Sequence, residues 1–263
     1  MPVDFPFSSL PTGAHPTRAI PVRTVQCRNH GDVYVLDDKL DELYLQGSTQ
    51  WDGLFHVGDV HHGFYNGIPY DEELAFNGHR GISAFAEFGI VSRSVLVDVP
   101  RHFAELGLPW SSVGSHELSA GDLQRLLVRQ RSVLQKGDVL LVRTGWIDDF
   151  RKAASPDERH RLFADRSYSG LSGDARMWEF LWDSQVAAVA SDAVTVERFP
   201  LTPGEPNLHL AIARLGLVLG EMFDLDELAN VARREGRHHF FFVSAPLNVQ
   251  GAVGAPANAL AIL

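Results

Sequence analysis

Short runs of mostly apolar residues constrain the fold of this chain more than any other sequence feature. Each run spans four to six residues next to turn-forming residues; the runs are 33–36, 95–99, 139–143, 186–190, 238–243 and 259–263. Successive side chains of a strand point to opposite faces, so a strand that is apolar at every position is covered on both. The runs therefore predict strands that lie in the middle of a covered sheet.

Amphipathic segments with apolar residues every three to four positions separate some of these runs and predict helices. One helix is capped by Ser119, one spans 175–182, and one begins at Asp224 and ends at Gly236. Strands outnumber helices and alternate with them irregularly. The pattern favours a mixed α/β or α+β domain over a doubly wound one.

Composition excludes several classes of protein. The chain has 263 residues, a formal net charge of −10 and no dense basic cluster, so a nucleic-acid partner is not expected. Cys27 is the only cysteine, which excludes an intrachain disulfide and a thiolate metal cluster. No apolar run approaches the roughly 20 residues of a membrane span. We expect a cytoplasmic protein without a signal peptide.

A concentration of prolines distinguishes the first thirty residues from the rest of the chain. Five prolines lie within the first thirty residues, which contain no apolar run. Residues 1–30 are therefore predicted to be an extended N-terminal arm, and residues 31–263 one domain.

The most informative polar cluster lies in a glycine-containing segment. Its four functional side chains occupy positions of one parity: Gln46, Gln50, Asp52 and His56. In an extended strand, all four project from the same face, while Trp51 and Phe55 anchor the other face in a core. Such residues are also typical of a solvated loop, which their spacing alone does not exclude.

A second polar pair lies in the C-terminal half. His209 precedes a predicted helix over 210–215, Gly216 ends that helix, and a strand over 217–219 leads to Glu221. A helix, turn and strand of this size bring the end of the strand back beside the start of the helix, so the side chains of His209 and Glu221 can meet. The alternative is a histidine at a helix end and a glutamate at the surface.

Two further features allow different interpretations. Asp192 follows a predicted strand, where it can support a metal ligand or, as we favour, hold a turn. The adjacent residues His61 and His62 point in opposite directions on a strand, so a loop near a pocket is favoured over a metal site.

At these polar residues the chain resembles the metal-dependent cyclase/hydrolase family, which includes kynurenine formamidase and isatin hydrolase. The pattern of that family is His-x-Gly-Thr-His-x-Asp-x-Pro-x-His, followed much later by a histidine and, twelve positions on, a glutamate. The matching residues are Thr49, Asp52, His56, His209 and Glu221. Gln46 and Gln50 replace two histidines and Leu54 replaces the proline, a variant similar to the trans-dienelactone hydrolase branch.

The resemblance implies a cyclase-like swivelling β/β/α domain with a mixed, β-rich core, and a homo-oligomer, dimer or tetramer. It also implies a metal site with the ligands Gln46, Gln50, Asp52, His209 and Glu221. Two carboxylates among neutral ligands balance a single divalent cation, and oxygen donors with one imidazole suit Zn²⁺ or Mn²⁺. We therefore predict one metal ion.

The expected reaction is hydrolysis of a lactone, ester or cyclic amide of a small organic acid or aromatic compound by metal-activated water. His56 is the predicted general base or acid, and His209 and Glu221 complete the catalytic set. Formamidase-type amide cleavage, a catalytically silent binding protein and a metal-dependent lyase remain alternatives. A serine hydrolase and a dinucleotide site are disfavoured because neither glycine motif is present.

Overall fold

The computed structural model describes residues 1–11, 15, 17–70, 81–205 and 207–263. Within them, the strands are β1 (Val22–Asn29), β2 (Tyr34–Asp41), β3 (Gln50–Asp52), β4 (Ile90–Asp98), β5 (Glu117–Leu118), β6 (Val139–Arg143), β7 (Gly170–Leu171), β8 (Ala188–Ser191), β9 (Val218–Glu221), β10 (His239–Ser244), β11 (Gly254–Pro256) and β12 (Ala259–Ile262). The α-helices are α1 (Ser83–Phe88), α2 (Val99–Glu105), α3 (Ala120–Arg129), α4 (Trp146–Lys152), α5 (Pro156–Ala164), α6 (Ala175–Asp183), α7 (Leu210–Leu215) and α8 (Asp226–Glu235). Two 3₁₀ helices span Phe7–Ser9 and Tyr65–Gly67.

Eight of these strands form one mixed sheet, in the order β11-β3-β9-β8-β6-β4-β10-β12. The four central strands from β9 to β4 are parallel, and the strands on either side pair antiparallel. This arrangement confirms the mixed α/β class with a β-rich core.

The central strands have both faces covered, as the runs 95–99, 139–143 and 186–190 predict. The same prediction is wrong for the runs 33–36, 238–243 and 259–263: β2 is exposed, and β10 and β12 bury only every second side chain. Leu96 of β4 and Leu141 of β6 belong to the apolar cluster on one face, whereas Val95 and Leu140 belong to the cluster on the other. All four side chains are completely buried. Successive positions of one strand thus contribute to two separate cores.

Strand bounds follow backbone pairing as well as apolarity. The run 139–143 forms β6 with the predicted bounds. By contrast, β4 begins at Ile90, five residues before the predicted run, because residues 90–95 pair with β10. Hydrogen bonds to a neighbouring strand therefore extend β4 through residues 90–93, whose side chains are partly buried or exposed.

Helix ends agree with the predictions to within one residue, except at Asp224. Ser119 caps α3: its hydroxyl accepts from the backbone N–H of Asp122, whose carboxylate accepts from the Ser119 N–H. The predicted cap at Asp224 is wrong, because α8 begins at Asp226 and Asp224 pairs instead with Arg151. In the described part of the chain, no helix is long and apolar enough to cross a membrane.

The N-terminal residues contact the main sheet and then leave it. Val3 and Phe5 are buried, and the amino group of Met1 donates to the carbonyl of Ala261 on β12. Further along, β1 and β2 form an exposed antiparallel hairpin that is separate from the main sheet. Residue 30 lies in the turn of that hairpin, and the predicted domain boundary there stays a prediction.

Candidate metal centre

The polar cluster lies where β3 pairs with β9 in the main sheet. The antiparallel register places Gln50 directly opposite Glu221. Only Gln50, Trp51 and Asp52 are extended, so the prediction of one strand through 46–56 is wrong. Backbone turns flank β3 on both sides and bring Gln46 and His56 towards its polar face.

Trp51 occupies the opposite face of β3, as predicted. Its ring is completely buried and its indole N–H donates to the hydroxyl of Ser244 over 2.9 Å. A Cβ atom at Gly220 would lie 2.7 Å from the ring, so only glycine fits beneath it. Phe55 is not a core anchor: it is half-buried and its ring lies 5.1 Å from that of Phe64.

The structure brings all six predicted site residues together. The closest atom pairs are Gln46 Nε2 to Asp52 Oδ1 at 2.6 Å, Gln46 Nε2 to His56 Nδ1 at 2.9 Å, Gln50 Nε2 to Glu221 Oε2 at 2.5 Å, His209 Nε2 to Glu221 Oε1 at 3.2 Å, and His209 Nε2 to Asp52 Oδ2 at 3.7 Å. The catalytic and ligand roles of these residues stay predictions. Their juxtaposition is a structural fact.

Glu197 is a seventh residue of the cluster that sequence reasoning missed. Its buried carboxylate accepts from His209 Nδ1 at 2.6 and 2.7 Å. This contact leaves Nε2 of His209 facing Asp52 and Glu221. Histidine ligands commonly donate their second ring N–H to a carboxylate, which is the only signal that could have indicated such a residue.

Burial and neighbouring charges set the protonation of His56. Burial lowers its pKa, and the charges of His209 and Arg18 lower it further, against the opposite effect of Asp52. The imidazole is therefore neutral at pH 7. Burial also raises the pKa of Asp52, but contacts with the two histidines and Gln46 outweigh that effect and keep it ionised.

His209 Nε2 and Glu221 Oε1 face each other over 3.2 Å. Burial lowers the pKa of His209, but the Glu197 charge and the close carboxylates of Asp52, Glu197 and Glu221 raise it well above its ordinary value. Burial and the Asp52 charge raise the pKa of Glu221 to about 7. The short contact between Nε2 and Oε1 is favourable when one proton lies between these atoms.

The cluster fits a divalent cation. Gln50 Oε1 and Asp52 Oδ2 are buried oxygens that have no hydrogen-bond partner among the described residues. Such atoms are costly unless an ion or water satisfies them. One ligand atom from each of Asp52, His56 and His209 also lies within 4.8 Å of the other two. Oxygen and imidazole donors of this kind suit Zn²⁺ or Mn²⁺.

Gln46 fixes the orientation of His56. The amide nitrogen of Gln46 must face Asp52, because a carboxylate only accepts hydrogen bonds. The same nitrogen faces His56 Nδ1, which must then accept. Neutral His56 consequently carries its hydrogen on Nε2, 3.6 Å from Asp52 Oδ1.

Asp192 holds a turn, the alternative that we favoured. It is completely buried and accepts hydrogen bonds from the N–H and hydroxyl of Thr144 and the N–H of Gly145. Burial raises its pKa to about 6. These contacts join the ends of β6 and β8 and involve none of the six clustered residues.

A cavity of 590 Å³ opens above the cluster. His56, His209 and Glu221 line its floor, and Tyr168 and Phe199 contribute aromatic surface to its walls. Its size is that of an ordinary small-molecule site.

Comparison with known proteins gives a family match. The model of the family described as "Putative cyclase" matches residues 14–198. The matched segment includes Gln46, Gln50, Asp52, His56 and Glu197, whereas His209 and Glu221 lie beyond it. Comparison with curated proteins found no match.

Solved structures share the fold over nearly the whole chain. A crystal structure described as a novel cyclase is 28% identical, with a TM-score of 0.84 over 100% of this chain and 88% of that one. Isatin hydrolase A from Ralstonia solanacearum is 17% identical, with a TM-score of 0.65 over 99% and 90%. A "predicted metal-dependent hydrolase" from Bacillus stearothermophilus is 19% identical, with a TM-score of 0.56 over 99% and 96%.

Proposed function

This chain belongs to the Cyclase family, and on that premise we propose that it is a metal-dependent hydrolase. Its substrate in this proposal is a lactone, ester or cyclic amide of a small organic acid or aromatic compound. Structural neighbours described as isatin hydrolase and as a metal-dependent hydrolase support this reaction class.

The observation that carries the proposal is the pair of buried oxygens without partners, Gln50 Oε1 and Asp52 Oδ2, next to His209 and Glu221. Together with Gln46, these four residues form the proposed ligand set. Gln46 enters the coordination only if its amide turns, because its nitrogen now donates to Asp52. A divalent cation held here supplies Lewis acidity, which polarises a substrate carbonyl and activates water.

The protein residues handle the protons of the reaction. The Nε2–H of neutral His56 can donate a hydrogen bond to an oxygen that gains negative charge in the transition state. A base role for His56 would require Gln46 to release Nδ1. Glu221, whose Oε1 lies 3.2 Å from His209 Nε2 at the floor of the cavity, is placed to take a proton from attacking water.

The buried Glu197 revises the expected charge balance. Three carboxylates now surround His209 instead of two. A neutral His209 that binds the ion through Nε2 donates its Nδ1–H to Glu197, so Glu197 keeps one negative charge beyond the two of Asp52 and Glu221 that one divalent cation balances. We retain the proposal of a single Zn²⁺ or Mn²⁺, because Glu197 faces Nδ1 and not the proposed position of the ion.

We also propose that the protein is a homo-oligomer in which a second copy covers the hairpin. An isolated two-stranded hairpin is marginal in water, and β1 and β2 expose apolar side chains that include Val22, Tyr34 and Leu36. Residues 22–41 contain three basic and four acidic residues, whereas the whole chain carries −10. Two hairpins can therefore meet without strong repulsion.

Elemental analysis and isotope labelling test the proposed function together. Protein purified without added metal is expected to hold about one equivalent of a divalent ion and to gain thermal stability from Zn²⁺ or Mn²⁺. Hydrolysis in ¹⁸O-labelled water places one ¹⁸O atom in the product, whereas a lyase reaction incorporates none. Less than about a tenth of an equivalent, without stabilisation by either ion, would instead support a silent binding protein.

A further inference from the structure

Two arginines, Arg18 and Arg166, contribute to the lining of the cavity above the cluster. Across the residues that the structure describes, neither guanidinium forms an ion pair, whereas Arg143, Arg151 and Arg198 each pair with carboxylates. The inference that follows rests on the proposed function, because it concerns the substrate of the same site.

Arg18 is held close to the cluster. Its Nη1 donates to the backbone carbonyl of Gln46 over 2.5 Å, which leaves its other N–H groups available. Gln46, whose carbonyl accepts from Arg18, also contacts His56, and both Arg18 and His56 line the cavity, so the guanidinium lies near the cavity floor. The side chain is only half-buried and remains reachable by a ligand.

Arg166 lies on the aromatic wall of the same cavity. The carbon of its guanidinium is 4.8 Å from the ring centroid of Phe199, within cation–π range. The contact holds the head group in place but satisfies none of its five N–H donors.

The two arginines act on a common neighbour. His15, Arg18 and Arg166 all line the same cavity. Burial lowers the pKa of His15, and the charges of Arg166 and Arg18 lower it further. The carboxylates that line the cavity are Glu197 and Glu221, which face His209. In a chain of net charge −10, two cations without a counterion in a cavity constitute an anion-binding arrangement.

We propose that Arg166 and Arg18 are specificity-determining residues that bind a carboxylate carried by the substrate. A planar guanidinium matches a carboxylate with two parallel hydrogen bonds. The substrate ring would then pack against Phe199, with its hydrolysable carbonyl over His56 and His209. The substrate class is therefore an anionic cyclic ester or amide with a carboxylate at the end remote from the bond that breaks.

Binding of benzoate and benzamide to the metal-containing protein tests this proposal without turnover. The two probes have the same ring and similar size, and they differ in charge. We expect benzoate to bind at least about 10-fold more tightly, and Arg166→Met to weaken benzoate about 10- to 100-fold while benzamide changes less than about twofold. Arg166→Lys keeps the positive charge but lacks the planar guanidinium, so its affinity for benzoate should lie between those of the wild-type protein and Arg166→Met.

Arg176→Met is the matched control, because Arg176 is an exposed arginine of α6 outside the cavity lining. It should leave the affinity of both probes unchanged. The proposal is overturned if wild-type protein does not prefer benzoate, if Arg166→Met leaves benzoate binding intact, or if both probes weaken equally.

Kinetics with a carboxylated lactone and its methyl ester separate this proposal from the proposed function. Arg166→Met should lower kcat/KM for the carboxylate about 10- to 100-fold and leave the ester within about twofold. If the protein hydrolyses both substrates and Arg166→Met does not change the ratio of their kcat/KM values, the carboxylate site is refuted and the proposed function is not. Arg166-dependent benzoate binding without hydrolysis by metal-loaded protein refutes the proposed function alone.

Discussion

The β3–β9 edge of the main sheet and the β1–β2 hairpin place opposite kinds of side chain in unfavourable surroundings. At the edge, Gln50 and Asp52 are polar yet only 1% and 0% exposed. In the hairpin, Tyr34 and Leu36 are apolar yet 71% and 63% exposed. A buried oxygen without a partner and an exposed apolar side chain both cost free energy in the isolated chain.

The difference between the two regions indicates which kind of partner each lacks. Converging oxygens and an imidazole require a compact positive charge, which a divalent cation provides. Apolar side chains spread over a near-neutral hairpin are stabilised by another apolar surface, which a second copy would provide in the oligomer that we propose. The β3–β9 edge can therefore be tested by changing polar side chains and measuring metal binding, and the hairpin by changing apolar side chains and measuring self-association.

The largest effect is expected from Asp52→Ala. This change removes the carboxylate that faces both site histidines. We expect bound metal below about a tenth of an equivalent and hydrolysis lowered by about 1,000-fold or more. Asp138→Ala, at a buried aspartate paired with Arg93, should lower stability and leave metal content unchanged. Full metal occupancy in Asp52→Ala would contradict the ligand assignment.

His56→Ala should lower kcat by about 100- to 10,000-fold, the range for a side chain that stabilises or transfers charge in the transition state. Elemental analysis should find the metal retained, and the exposed His239→Ala serves as control. Loss of the metal would show that His56 is a ligand, as its distance to Asp52 and His209 permits. Unchanged turnover would remove His56 from the mechanism.

The hairpin is tested by the double change Tyr34→Ser and Leu36→Ser. We expect the dissociation constant of the oligomer, from light scattering across a dilution series, to rise by about 100-fold or more, since each buried apolar side chain contributes about 1.5–3 kcal/mol. Val128→Ser, at an exposed apolar residue of α3, should have no effect. A monomeric wild-type protein would contradict the proposed role of the hairpin.

Glu197→Gln should weaken metal binding by about 10- to 100-fold. The amide can still accept from His209 Nδ1, but it removes the charge that raises the pKa of His209. Competition with a chelator measures the change, and Glu205→Gln, which weakens an ion pair with Arg198, is the control. Equal metal affinities in Glu197→Gln and Glu205→Gln would show that Glu197 does not support metal binding.

The smallest effect is the pH dependence of metal affinity. Burial raises the pKa of Glu221 to about 7 in the metal-free protein, so below that pH a cation must displace a proton. Affinity should therefore rise with pH through about 7 and continue to rise above it, because binding through Nε2 also displaces the proton of His209, whose pKa the Glu197 charge and contacts with the carboxylates raise well above its ordinary value. Calorimetry in buffers of different ionisation enthalpy counts the released protons. An affinity that is flat between pH 5.5 and about 8 would contradict the shared proton.

Much of the fold followed from local sequence. Runs such as 139–143 give strands because both sheet faces are covered, and Ser119 caps a helix through contacts within four residues. The predicted strand through Gln46 and His56 was wrong because glycines on either side of β3 permit turns. The alternation of side chains along a strand therefore explains only why Gln50 and Asp52 point to the same face.

Glu197 could not be identified from the sequence because its role depends on a contact between distant elements. It reaches His209 only after the chain passes the end of β8 and pairs with β7 at Leu171. No spacing rule connects those residues. The two cavity arginines pose the same difficulty, since Arg18 and Arg166 meet near His15 only in the folded chain.

Anomalous diffraction from crystals soaked in Zn²⁺ or Mn²⁺ tests the proposed metal centre most directly. We expect one strong peak between Gln50 Oε1, Asp52 Oδ2, His209 Nε2 and Glu221, at about 2.0–2.3 Å from each ligand atom. A crystal without a peak there, or with its peak only at His61 and His62, would show that the buried oxygens of β3 do not form a metal site.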